Sequence, residues 1–279
     1  MRRQVEKANA FRALHERKNA FIIPNPWDLG TARLLEQMGF EALATTSGGY
    51  AFSLGQQDHN LVRENIIANA AGIASITDLP VSADLENGFG DHPDTVRETI
   101  RLAAAAGLAG GSIEDASNRA DDPIYEFGLA VERVQAAAET AHSLPFPFLL
   151  TARAENFICG RPDLKDTIKR LQAYQEAGAD VLYAPGLVSK SDIVEVVRSV
   201  DRPVNVLLGL KGARLSLAEL SEIGVKRISV GSALARAAFG AFLRAAREMQ
   251  ETGTFTFADE AVSYAEINAM FEKRRSSHK

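Results

Sequence analysis

Cysteine is almost missing from this chain. Cys159 stands alone among 279 residues, which excludes an internal disulfide and suits a reducing compartment. Positive charge is not in excess either: 31 Lys and Arg face 36 Asp and Glu, for a formal net charge of -5. No basic stripe offers the footprint that nucleic acid requires, so nucleic acid is not an expected partner. Apolar residues make up 46% of the chain, enough to bury a sizeable core. Yet no apolar run approaches the ~20 residues of a membrane span. The first twenty residues, MRRQVEKANAFRALHERKNA, have a charged helical pattern without an apolar signal core. The expectation is a soluble, cytoplasmic protein without membrane contact. No Pro/Gly/Ser-rich linker divides the chain, and no G-x-G-x-x-G turn follows its first β-like run. The histidines, His15, His59, His92, His142 and His278, form no pair at metal-ligand spacing and read as surface or loop residues.

Present instead is a regular alternation. Short β-branched or apolar runs occur at 20–25, 41–47, 80–86, 109–115, 147–153, 181–185, 204–208 and 227–231. Segments of helical period lie between them, such as DTVRETIRLAAA and LAVERVQAAAETA. Strand-helix alternation implies parallel strands with crossover helices. Four times a helical pattern ends in glycine and a strand follows: EQMGFEALATTS, AAAGLAGGSIED, QEAGADVLYAP and SEIGVKRISVG. Gly39, Gly107, Gly178 and Gly224 then read as left-handed helix ends, where glycine carries no Cβ penalty. Eight strands in this grammar predict an α/β fold, a (β/α)8 TIM barrel, with a doubly wound open sheet as the second choice. The expected organisation is a single domain over 1–279: an N-terminal helix at 1–19, barrel strands over 20–231, and an eighth helix with a helical extension over 232–279. Helical patterns at 232–250 and about 258–275 exceed what one barrel helix requires and suggest an oligomer-forming extension.

In such barrels the active site lies at the C-terminal ends of the strands. Strand 2 ends in Ser47-Gly48-Gly49, and its loop runs on to Asp58. Strand 3 ends in VSADLENGFG, where Asp84 and Glu86 sit two residues apart and strand geometry would point both carboxylates the same way. Strand 4 ends in Glu114-Asp115, and strand 5 in Arg153 with Glu155 and Asn156 beyond; strand 7 opens with Asn205. A single acid at a strand end is usually a solvated loop residue. Several converging on one mouth repel unless a cation sits among them. Oxygen ligands without histidine or cysteine favour Mg2+, or Mn2+, over zinc. Ser47, Gly48 and Gly49 could be a plain tight turn or a row of N–H groups for a carboxylate. Arg153 could be an ion-pair partner for Glu114 or Asp115, or a planar fork for a substrate carboxylate.

The fragments IPNPWDLGTARLLEQMGFEALATTSGG, LENGFG, IEDA and LLTARAENF resemble, in order, the isocitrate lyase/phosphoenolpyruvate mutase superfamily, over about residues 20–245. The resemblance implies a (β/α)8 barrel whose eighth helix is swapped between subunits, usually in a homotetramer built as a dimer of dimers. It also implies Mg2+ and a small 2-oxo acid or related carboxylate whose bond breaks or forms beside an enolate. Carried over residue by residue, Ser47, Gly48 and Gly49 match the turn that binds the substrate carboxylate, and Asp58 matches the acid that follows in that loop. Asp84 matches the direct metal ligand. Glu86 stands where most members have a second aspartate, and Glu114 matches the acid that reaches the metal through water. Arg153 matches the substrate-binding arginine, and Asn205 falls near a substrate-contacting asparagine. Ser47, Asp58 and Arg153 are thus the expected catalytic residues.

The chain also departs from that pattern. The lyase loop after strand 4, which carries Lys-Lys/Arg-Cys-Gly-His, is replaced by EDASNRADDPIYEFG, without cysteine or lysine. The lyase glutamate of strand 6 gives way to Tyr183-Ala184-Pro185, and the Asn-x-Thr-Glu of strand 7 to NVLLGL. The asparagine loop of the phosphonate mutases is not cleanly present, although Asn118 and Arg119 could substitute. The expected function is Mg2+-dependent C–C cleavage of a small 2-oxo acid, as in oxaloacetate decarboxylation or a small acyl lyase. The alternatives are P–C chemistry of the phosphoenolpyruvate mutase or phosphonopyruvate hydrolase kind, and a barrel that binds metal and oxo acid without turnover.

Overall fold

A computed structural model describes residues 2–212 and 214–272 of the chain. His278 and the end of the expected extension, 273–279, lie outside them. Each predicted run forms a strand: β1 (Phe21–Ile23), β2 (Leu43–Ala44), β3 (Val81–Asp84), β4 (Gly110–Glu114), β5 (Leu149–Arg153), β6 (Val181–Tyr183), β7 (Val204–Leu207) and β8 (Arg227–Ser229). All pair in parallel in the order β1-β8-β7-β6-β5-β4-β3-β2. The Ala44 N–H donates to the Pro24 carbonyl at 3.1 Å and closes the seam between β1 and β2. Asn25 seals the same region. Its amide N–H donates to the Thr45 carbonyl at 3.0 Å, while its oxygen accepts from the N–H groups of Val230 and Gly231 beyond β8. The result is a (β/α)8 barrel, with the doubly wound sheet excluded by β1 pairing with β8.

The crossover helices show why the alternation folds this way. Helix Pro93–Ala105 begins with proline, whose missing N–H costs nothing there. It buries Val96, Thr99, Ile100, Ala103 and Ala104, one face of a 3.6-residue period. Gly39, Gly107, Gly178 and Gly224 have φ of 89°, 87°, 103° and 101°, so all four end their helices in the left-handed region as predicted.

Two apolar layers result. One lies between the strands and their helices and includes Ile73, Ile100, Val134, Leu171 and Val196. The other joins Phe11 and Leu14 of the N-terminal helix (Gln4–Glu16) to Phe21, Leu149 and Val181, the first residues of β1, β5 and β6. That helix therefore plugs the N-terminal end of the barrel. At the other end of the chain, helix Ala233–Thr252 buries only Ala235. Phe242 is 67% exposed and Tyr264, in helix Tyr264–Phe271, 89%.

Candidate active site

The C-terminal ends of the strands surround a cavity of about 440 Å³. Its wall contains Asp84 of β3, Ser112 and Glu114 of β4, Arg153 of β5, Tyr183 of β6, Asn205 of β7, and Arg227 and Ser229 of β8. Ser112 and Glu114, like Arg227 and Ser229, alternate along their strands, as a barrel interior requires. Apolar side chains usually fill this space; here charged and polar ones share the wall with Ile23, Pro185, Leu207 and Leu210.

Arg153 organises the mouth. Its Nη1 lies 2.9 Å from Asp84, its Nη2 2.9 Å from Glu114, and its Nε 2.7 Å from Glu155. The guanidinium also lies over the Tyr183 ring, 5.3 Å from its centroid. Burial works against its charge, but Glu114, Glu155 and Asp84 outweigh that and hold its pKa well above the usual arginine value. Burial likewise pushes the Glu114 carboxyl well up, with Arg153 opposing it. Arg153 is therefore ion-paired to Glu114 and also lines the cavity. Asp115 takes no part. As the next residue on the strand it turns outward, accepting from the Tyr174 hydroxyl at 2.6 Å and pairing with Arg170 at 3.1 Å.

Ser47-Gly48-Gly49 forms the first turn of a short helix, Ser47–Ser53, and not a free-standing tight turn. Thr46 caps it by accepting the Gly49 N–H at 3.2 Å. The Ser47 hydroxyl donates to Asp84 at 2.9 Å and sits 3.5 Å from Asp58. A Cβ at Gly48 would stand 2.8 Å from an Asp58 carboxylate oxygen, so glycine is what lets the following loop fold back over the mouth. Asn205 is 1% exposed. Its amide is engaged on both sides, accepting from Arg227 and donating to the Ser229 hydroxyl, each at 2.9 Å.

The paired acids of β3 differ from the expectation of two carboxylates aligned by strand alternation. The strand ends at Asp84, and Glu86 adopts φ of 48°, outside the extended region where alternation holds. Glu86 is therefore turned toward the loop after β2, where one of its oxygens meets His59 Nδ1 at 3.4 Å. Its other oxygen, Oε1, is buried without a partner. Burial pushes this carboxyl up, with His59 opposing and Asp84 adding to the rise. The hydrogen bond to Glu86 and the neighbouring acids hold the His59 imidazole up at about 9, against its partial burial.

Five carboxylates, from Asp58, Asp84, Glu86, Glu114 and Glu155, thus gather around Arg153 and His59. Hard oxygen donors with a buried, unpartnered carboxylate oxygen among them fit a divalent cation. Of the three acids expected to hold it, Asp84 and Glu114 are ion-paired to Arg153 and Glu86 faces His59.

The sequence model for phosphoenolpyruvate phosphomutase matches residues 11–250. The chain belongs to this family. An uncharacterised protein of Mycobacterium tuberculosis (strain H37Rv) is 32% identical over 273 residues, covering 96% of this chain and 99% of its own. A candidate lyase/mutase from Burkholderia cenocepacia J2315 superposes with a TM-score of 0.95 at 62% identity, over 97% of each chain. The 2,3-dimethylmalate lyase of Eubacterium barkeri is 26% identical over 227 residues, 78% of this chain and 77% of its own. Lyases and mutases share this family, and this chain is similar to both.

Several residues of this family member escaped the sequence reading. His59, read as a loop residue, does lie in a loop but faces Glu86. Its signal was adjacency to Asp58. His15, read as surface or loop, is 5% exposed under the barrel, its Nε2 facing Arg227 Nη1 at 3.5 Å; burial holds its imidazole down at about 3. Cys159, which the sequence offers as a displaced acid if its loop folds over the mouth, does line the cavity. Burial first, and Glu155 next, push its thiol up to about 11. Arg227, the first residue of a strand, carried no signal at all.

Proposed function

We propose that this chain is a divalent-metal-dependent lyase, cytoplasmic, that breaks the C–C bond beside the carbonyl of a small 2-oxo acid, of the oxaloacetate-decarboxylase or small acyl-lyase kind. The observation that carries this is the mouth itself: five carboxylates around one guanidinium and one imidazole, beside a cavity sized for a small acid. Asp84 would hold Mg2+, or Mn2+, directly, with Glu86 and Glu114 reaching it through water. When bound, the cation supplies Lewis-acid stabilisation of negative charge developing on the substrate's keto oxygen.

The chain's own residues do the rest. Arg153 now spends its three nitrogens on Asp84, Glu114 and Glu155. With Asp84 and Glu114 engaged in holding a cation, both Nη groups of Arg153 would be free for the substrate carboxylate, a planar match that lysine lacks. The Ser47 hydroxyl and the turn through Gly48 and Gly49 orient the same carboxylate, with Asp58 packed against that turn. Asn205, fixed on both sides, forms a rigid part of the cavity floor on which the substrate rests. The proton that ends the reaction comes from solvent or from the loop after β4.

Pro185, Leu207 and Leu210 line the cavity where a third carboxylate would lie. Burying an unpaired charge against them is prohibitive, so isocitrate and 2-methylisocitrate are not expected substrates. P–C chemistry is the second reading, supported by Asn118, which lines the cavity from the loop after β4. Arg119, its expected companion, turns away to Asp91 at 2.8 Å. The exposed apolar residues of Ala233–Thr252 and Tyr264–Phe271 support a homo-oligomer, a dimer of dimers with the eighth helix swapped.

The test is a panel of oxaloacetate, phosphonopyruvate, 2,3-dimethylmalate, isocitrate and 2-methylisocitrate with Mg2+ or Mn2+. Turnover of oxaloacetate or a small acyl acid is expected. Turnover of phosphonopyruvate alone would replace the reading with P–C chemistry. Binding of metal and oxalate without any turnover would make the barrel non-catalytic.

A further inference from the structure

Among the acids of the mouth stands one nitrogen donor. Asp58, His59 and Glu86 each offer a ligand atom, and these atoms lie within 4.8 Å of one another. A cluster of carboxylates alone would say little, since acids gather at many solvated surfaces. Here the imidazole is part of the group, and Glu86 is 3% exposed with its Oε1 partnerless. A buried carboxylate oxygen without a donor leaves a place in which a cation can complete its shell. The loop carrying His59 is held in place from below, because Gly48 admits the Asp58 carboxylate so closely.

We propose that His59 is a nitrogen ligand of the divalent-cation site, which makes the site a mixed nitrogen–oxygen one that selects a first-row transition-metal ion, Mn2+, Fe2+ or Co2+, over Mg2+. Mg2+ is a hard ion that keeps oxygen ligands and water and gains little from imidazole. Transition-metal ions gain from it, and increasingly so along the series from Mn2+ toward Cu2+. Asp58 lies beside it, Glu86 reaches the ion through water, and Asp84 remains the direct oxygen ligand, joined to Asp58 through the Ser47 hydroxyl, 2.9 Å from Asp84 and 3.5 Å from Asp58. The inference rests on the reading of the mouth as a cation site and adds the ion's identity to it. If His59 were only a counter-charge for Glu86, any divalent ion would displace it equally and no selectivity would follow.

The experiment uses the full chain stripped of metal with a chelator. Mn2+ binding is followed by the electron-paramagnetic resonance of the free ion, Mg2+ by competition, and directly bound nitrogen by the spin-echo modulation of bound Mn2+. The wild type is expected to prefer Mn2+ over Mg2+ by about tenfold or more and to show nitrogen modulation. In His59→Ala, Mn2+ affinity should fall about tenfold or more and the modulation should vanish, while Mg2+ affinity changes little. His59→Asp, which restores an oxygen ligand, should bind both ions without the preference. An unchanged Mn2+/Mg2+ ratio in both variants, or bound Mn2+ without nitrogen modulation in the wild type, overturns the inference and leaves the cation site standing. Failure of the wild type to bind either ion overturns both.

Discussion

Two arginines lie inside this barrel, and their surroundings are opposite. Arg153, at the mouth, touches three carboxylates with all three of its nitrogens. Arg227, near the plug, touches no acid among the described residues: its Nε donates to Asn205, its Nη2 to Thr151 at 2.9 Å, and its Nη1 faces His15. Burial lowers its pKa to about 10, still charged at neutral pH. A buried cation normally takes a carboxylate partner. Here neutral oxygens and an imidazole lone pair serve instead, because His15 gives its Nδ1 proton to the Phe11 carbonyl, 2.8 Å away, and so keeps Nε2 free to accept. The floor therefore holds surplus positive charge and the mouth surplus negative charge. A floor of this kind is complete as it stands; the mouth is built to be completed by something that arrives.

That contrast can be broken at the mouth. Asp84→Ala removes the acid shared by Arg153, Ser47 and the proposed metal. Metal affinity should fall by at least about a hundredfold, measured by calorimetry with Mn2+ and Mg2+, and metal-dependent activity should disappear with it. Unchanged affinity would show that the cation lies elsewhere.

Arg153→Lys keeps the charge and loses the fork. A charge-assisted hydrogen bond is worth ~1.5–3 kcal/mol, roughly ten- to hundredfold in kcat/KM. Steady-state kinetics on the substrate that the panel identifies would measure it. Near wild-type efficiency would reduce Arg153 to a structural counter-ion.

The floor is sharpened through pH. Buried His15 holds its pKa at about 3 against an ordinary value of 6.5, so between those pH values the unfolded chain binds a proton that the folded one refuses. Stability contributed by this site is complete above pH 6.5 and is lost as pH falls toward 3, by about 2 kcal/mol at pH 5. His15→Gln retains an acceptor for Arg227 and should flatten the fall in Tm between pH 7 and 5, read by circular dichroism. An equally steep fall in the variant would assign the acid sensitivity to other groups.

The barrel was legible because its signals are periodic and local: apolar runs, helical faces and four terminal glycines at regular intervals. The mouth was legible where strand ends carry acids, as at Asp84 and Glu114, since topology alone sends strand ends to one rim. It was illegible where a backbone angle decides. Glu86 has no glycine at its own position to announce a positive φ, so strand alternation misdirected it and hid its meeting with His59. Arg227 and His15 were illegible for a different reason. They lie 212 residues apart, and neither one's neighbours in sequence disclose the other.

The plug at the base of the barrel also governs how the chain can fold. The helix Gln4–Glu16 is made before any strand of the barrel, yet its apolar face rests on Leu149 and Val181, which are made much later. The seam held by Asn25 requires Val230, 205 residues downstream. Contacts of such sequence separation must await closure of very long loops, and they slow the search for the native state. Phe11 and Leu14 must therefore stay exposed, or be shielded by other surfaces, through most of synthesis. Closure is a late event in which the oldest and youngest parts of the barrel meet.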